Sequence, residues 1–287
     1  MSSPAGMRWW IPPPAADETL RSVLERAAAL YHWEPQMLWR ALNGDNLESS
    51  GSIDQPSCHA LVRLGQALGM PALGLRQHCV PDVPWRLDPM ARHAVCPICW
   101  DDAVMGDNEQ AELRSWTHVL RTRCPIHEAP LCLPVSRHHA GTDATKLAAL
   151  AAEDLEVLSL IERFGTVLEQ SLFFGAPWPS DWRGGAWAAR QLLVKVSSYD
   201  GEGSGHALIA NVAPSEALTP FIHGGRHLSV GGGRQDWERF RRISDPAIRR
   251  AALWAVAWMR IPGLPQRLSP GWGMDNEEWI RTPAGGS

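Results

Sequence analysis

Residues 95–100 read Val-Cys-Pro-Ile-Cys-Trp, and residues 123–128 read Arg-Cys-Pro-Ile-His-Glu. Two close pairs, Cys96/Cys99 and Cys124/His127, therefore bracket twenty-four residues. Three thiolates and one imidazole at this spacing complete a tetrahedral Zn2+ shell. Such a set leaves no coordination position for a catalytic water, so the zinc reads as structural and its loss is expected to unfold the module. Chance spacing is the competing reading, and His93, His118, Cys132, His138 and His139 are the nearby substitutes should one ligand be misassigned.

Working outward, the 287 residues suffice for two modules with a sizeable core. A net charge of −4 supplies no global attraction to nucleic acid, so such binding would need a local patch. No basic leader with an apolar core is apparent, and the longest apolar run, Ala251–Met259, is too short to span a bilayer. These features predict a cytoplasmic protein with no membrane partner, in which the six cysteines serve metal binding rather than disulfides. Enzyme signatures are missing: no nucleophile elbow is seen, His138-His139 lacks a partnering carboxylate pair, and Gly231-Gly232-Gly233 lacks the Lys-Ser/Thr ending of a P-loop. The expectation is a non-enzyme.

The chain before the first pair reads as helical. An extended arm, Arg8-Trp9-Trp10-Ile11-Pro12-Pro13-Pro14, leads into a helix capped by Asp17, with Leu20, Val23, Leu24, Ala27 and Ala28 on one face. A second helix starts at Pro35 and stops at Asn43-Gly44; a third runs from about Ser57 to Gly69, and a short one follows Met70-Pro71. This order resembles a helix-turn-helix whose second helix would offer Arg76, Gln77 and His78 to a DNA groove, against a bland reading of plain helix packing. Trp9 and Trp10 also have two readings, folded back on the core or presented to a partner.

Beyond the second pair, residues 147–172 read as one long helix, Ala186 to Val196 as another, and Ala247 to Met259 as a last one with Ser244 or Asp245 as cap and Pro246 at its first position. Between Asp200 and His206 lies a Gly/Ser-rich loop. From Arg226 to Arg250 seven arginines face three carboxylates. Either this is a solvated face, or Arg241, Arg242, Arg249 and Arg250 contact phosphates.

Taken in order, these features resemble the TniQ family of transposition target-selection adaptors, which includes those of CRISPR-associated transposons. The residues carrying the resemblance are the Pro-rich lead into Asp17-Glu18-Thr19-Leu20-Arg21-Ser22-Val23-Leu24-Glu25-Arg26-Ala27, the helical segment around Leu61 to Leu75, and the metal stretch. Within the last, Cys96-Pro97-x-Cys99, Trp116, Cys124-Pro125-x-His127 and Leu131 match. The resemblance covers roughly residues 9 to 135. It implies a bacterial adaptor that joins target DNA or a CRISPR effector complex to an AAA+ ATPase, which in turn recruits the transposase. It also implies that the Trp9-Trp10 arm faces the ATPase. A stand-alone zinc-stabilised DNA-binding regulator is the alternative. The fold expected is mainly α: an arm over 1–16, a helix-turn-helix-like segment over 17–90, a zinc module over 91–135 and a helical C-terminal domain over 136–287.

Overall fold

Helix formation follows the apolar spacing closely. The computed structural model describes residues 9–11, 13–43, 51–105, 111–133, 147, 150–197 and 237–264. Among these, α-helices dominate and β structure is confined to isolated bridges, so the chain is mainly α as its periodicity implies. The Gly/Ser-rich loop, the triple glycine, Arg226, Arg234, His138 and His139 lie outside the described residues.

Helix α1 (Leu20–Leu30) buries Leu20, Val23, Leu24, Ala27 and Ala28, the stripe expected from spacings of three and four. Its cap is Thr19, whose hydroxyl accepts from the Ser22 amide at 3.1 Å, and not Asp17. Asp17 is taken up elsewhere: its carbonyl accepts from the Arg114 amide and its carboxylate from the Ser115 amide, at 2.6 and 3.0 Å. Helix α2 (Pro35–Asn43) and helix α3 (Cys58–Leu68) complete the packing. Gly69 ends α3 at φ 69°, in the left-handed region that suits glycine. The chain then turns tightly into α4 (Ala72–Arg76). A Cβ on Gly65 would come within 2.5 Å of the Met70 carbonyl, so only glycine permits this approach. These four helices and Trp9 enclose one apolar cluster.

Helix α5 (Pro97–Met105) opens the metal stretch, and a short 3-10 turn, Arg114–Thr117, carries Trp116 into a second cluster with Ala94, Cys96, Leu113, Cys124, Ala129 and Leu131. The rest of the described chain is α6 (Ala152–Phe173), α7 (Ala186–Ser197), α8 (Trp237–Arg241) and α9 (Pro246–Arg260). Helix α6 starts at Ala152 rather than near 147; Glu153 and Asp154 fall in its first turn, where the positive end of the helix dipole favours them. Helix α9 is capped by Asp245, which accepts from the Ala247 amide at 2.8 Å, with Pro246 at its first position as expected.

The largest apolar cluster joins α6, α7, α8 and α9 to Leu87, Ala91, Val119 and Leu120. The metal stretch and the C-terminal helices therefore share a core. Closest contact comes at Gly165 of α6, where a Cβ would lie 2.2 Å from the Leu120 carbonyl. The proline-rich connector is held to α8: Trp237 Nε1 donates to the Pro84 carbonyl at 2.7 Å, and Arg241 Nε to the Arg86 carbonyl at 2.7 Å.

Candidate metal centre

Each ligand pair sits on a turn that its own sequence dictates. Pro97 is the first residue of α5, where a missing amide proton costs nothing and a φ preset near the helical value helps. Cys96 then stands at the helix start and Cys99 one turn further on, so both sulfurs face the same side. Closing this turn, the Trp100 amide donates to the Cys96 carbonyl at 2.9 Å.

The second pair occupies the tip of a hairpin. At its base the Leu131 amide donates to the Thr122 carbonyl, and nearer the tip the Cys124 amide donates to the Ala129 carbonyl, both at 2.8 Å. Glu128 takes φ 53°, letting its amide reach back to the Cys124 carbonyl at 2.9 Å. Val95 and Cys132 exchange amide-to-carbonyl bonds of 2.8 Å in both directions, which docks the two pairs against each other. Cys132 therefore contributes its backbone to the arrangement. Trp116 is buried in the cluster that contains Cys96 and Cys124.

The four ligand atoms lie within 4.8 Å of one another. His127 Nδ1 is 3.6 Å from Cys96 Sγ, 3.2 Å from Cys99 Sγ and 4.0 Å from Cys124 Sγ, and the Cys99 and Cys124 sulfurs are 3.8 Å apart. A tetrahedral ion bound at about 2.3 Å by sulfur and about 2.0 Å by nitrogen separates S from S by about 3.8 Å and S from N by about 3.5 Å. The residues fit such an ion. Cys96 and Cys124 are buried, whereas Cys99 and His127 are partly open to solvent.

The Cys96 and Cys99 sulfurs, with the His127 and Ile126 amides, gather on Cys124 and lower its thiol pKa from the ordinary value. The same sharing raises Cys99, and raises Cys96 to about 11. A bound cation would draw off the remaining thiol protons and tie both turns together. The outer nitrogen of His127 lies 3.8 Å from an Asp102 carboxylate oxygen. Asp102 escaped the sequence reading; the signal was available, because a ligating imidazole commonly turns its second nitrogen to a carboxylate and Asp101-Asp102 follows the first pair directly.

The other expected site residues scatter. Trp9 belongs to the core: it is 6% exposed, its amide donates to the Ala67 carbonyl at 2.8 Å, and its ring packs edge-on against Tyr31 and Trp33. Its neighbour Trp10 is 70% exposed, while its amide donates to the Tyr31 hydroxyl at 2.9 Å. Of the two tryptophans expected at a partner surface, Trp9 lies in the core and Trp10 is left exposed.

Arg76, the last residue of α4, and Gln77 are exposed, but His78 is buried with Nδ1 2.8 Å from the Glu18 carbonyl and is not at the surface. The arginine face is corrected too. Arg241, Arg249 and Arg250 are buried, turned to carboxylates and backbone carbonyls of the chain itself. Arg242, 61% exposed and 3.5 Å from Asp88, is the member of that group left at the surface.

The fold and this centre define a helical protein built around a Cys3His cluster that could hold a metal ion. A family model described as TniQ matches residues 9–131, and this part of the chain is similar to that family. No curated protein and no solved structure matches the chain. Among the described residues no helix is long and apolar enough to cross a membrane.

Proposed function

We propose that the protein is a non-enzymatic adaptor of DNA transposition. It links target DNA, or a complex that marks the target such as a CRISPR effector, to an AAA+ ATPase that recruits the transposase. The metal is zinc, and its role is to hold the shape of the module: four protein ligands close its shell.

The observation that carries the reading is Trp10. A tryptophan left exposed beside a tryptophan locked into the core is a preorganised anchor, because the Trp9 amide is held by Ala67 and the Trp10 amide by the Tyr31 hydroxyl. Trp33, 40% exposed and edge-on to Trp9, adds a second partly open ring beside it. The ATPase is the occupant this reading assigns to it.

Reconstitution with the cognate ATPase on target DNA tests the proposal. Wild-type protein is expected to bring ATPase to the target, and Trp10→Ala to lose that recruitment while keeping its fold and its metal. Recruitment undiminished in Trp10→Ala would remove Trp10 from the role. A second reading, a stand-alone DNA-binding regulator, draws on the exposed Arg76 and Gln77 beyond the Gly69 turn. Tight, sequence-specific DNA binding without ATPase, abolished by Arg76→Ala, is the result that favours it.

A further inference from the structure

Arg249 and Arg250 are adjacent on α9, yet both guanidinium groups run inward, at 0% and 2% exposure. Arg249 Nη1 donates to the His118 and Val119 carbonyls, each at 3.2 Å, and more distantly to Arg121 at 3.5 Å. Arg250 Nη1 donates to the Thr122 carbonyl at 3.0 Å and the Leu131 carbonyl at 2.7 Å. Thr122 and Leu131 are the residues whose own hydrogen bond closes the base of the metal hairpin. Arg250 thus clasps both strands at the base of the hairpin, while Cys124 and His127 occupy its tip.

This placement has an energetic consequence. A desolvated guanidinium is tolerated only while its acceptors stay in register, and carbonyls on two different strands stay in register only while the hairpin is closed. At the tip, closure depends on the metal ligands. At the base it depends on Arg250. We infer that Arg250 is a positioning residue of the metal centre, through which metal occupancy and the packing of α9 stabilise each other. The inference rests on the reading of the Cys3His set as a metal site and goes beyond it by assigning the C-terminal helices a share in metal retention. Because coupling between two sites is reciprocal, metal removal loosens α9 and removal of the Arg250 clasp weakens the metal.

The test uses the full chain loaded with Zn2+, with hydrogen exchange read on peptides from residues 120–132 and from α9, and metal affinity read by competition with a chromophoric chelator. In the wild type, chelation is expected to speed exchange in both regions. Arg250→Met, which keeps an unbranched apolar stem and removes the guanidinium donors, is expected to weaken zinc binding by about ten- to a hundredfold, the usual range for loss of an outer-shell support. Arg242→Met, a surface control, leaves affinity unchanged. Zinc taken up normally with α9 exchange indifferent to chelation would overturn the inference alone, as would an Arg250→Met affinity equal to that of the wild type. A wild-type chain that binds no zinc overturns the metal reading and the inference together. Should Arg250→Met fail to fold, the wild-type chelation experiment and Arg250→Lys decide the matter, the lysine variant retaining a donor and binding zinc with intermediate affinity.

Discussion

Trp9 and Trp10 are identical residues one position apart with opposite fates. Consecutive side chains on an extended segment point to opposite sides, so when Trp9 is anchored to Ala67 and Tyr31, Trp10 must face away. Trp9→Ala removes a buried aromatic side chain and should cost about 3–5 kcal/mol of stability. Trp10→Ala should stay within about 0.5 kcal/mol of wild type in denaturant melts. Equal losses from the two changes would contradict the division. Glu112 is a second residue with a testable consequence. Burial, with the charges of Glu25 and Asp54, raises its carboxyl from 4.5 to about 7, against the opposing effects of the Thr19 hydroxyl and Arg21. With the folded value above the unfolded one, its stabilising contribution is complete below pH 4.5 and is lost as the pH rises through about 7. Glu112→Gln, which stays neutral, should match wild type near pH 4 and exceed it at pH 8 in urea midpoint.

Among elements, α6 and α4 offer a matched pair of glycines. Gly165 in α6 faces the Leu120 carbonyl with no room for a Cβ, so Gly165→Ala should overpack the shared core and cost about 1–3 kcal/mol. Gly74 in α4 has nothing nearer than the Pro71 ring at 3.9 Å, so Gly74→Ala should stabilise by roughly 0.5–1 kcal/mol through the entropy of the unfolded chain. Thermal melts of the two variants should shift in opposite directions. The two metal turns behave as elements as well. Chelation should abolish the near-UV signal of Trp116, whose cluster includes Cys96 and Cys124, and a signal that persists after complete metal removal would show a module that stands without its ion.

At the scale of the whole molecule, the core does not part between the metal stretch and the C-terminal helices. Leu87, Ala91, Val119 and Leu120 bury their side chains with α6 to α9, and Trp237 and Arg241 fasten the connector that precedes the first ligand pair. A fragment ending at residue 133 should therefore expose apolar surface and lose its cooperative melt, even with zinc supplied. A sharp transition matching that of the full chain would show the matched family segment to be autonomous.

The sequence by itself determined what depends on local spacing. Helical stripes, the proline starts, the stop at Gly69 and the four residues of the Cys3His cluster were legible, because a turn of helix or a tight knuckle fixes the relation of residues three or four apart. The tertiary structure alone decided the rest. Asp17 left its capping role because residues 114–115 reach it, and His78 turned inward to the Glu18 carbonyl. Three arginines that composition marked as a charged face became internal donors, since α8 and α9 pack against carbonyls more than a hundred residues earlier. No local pattern encodes such partners; burial and hydrogen-bond supply are set only when distant segments meet.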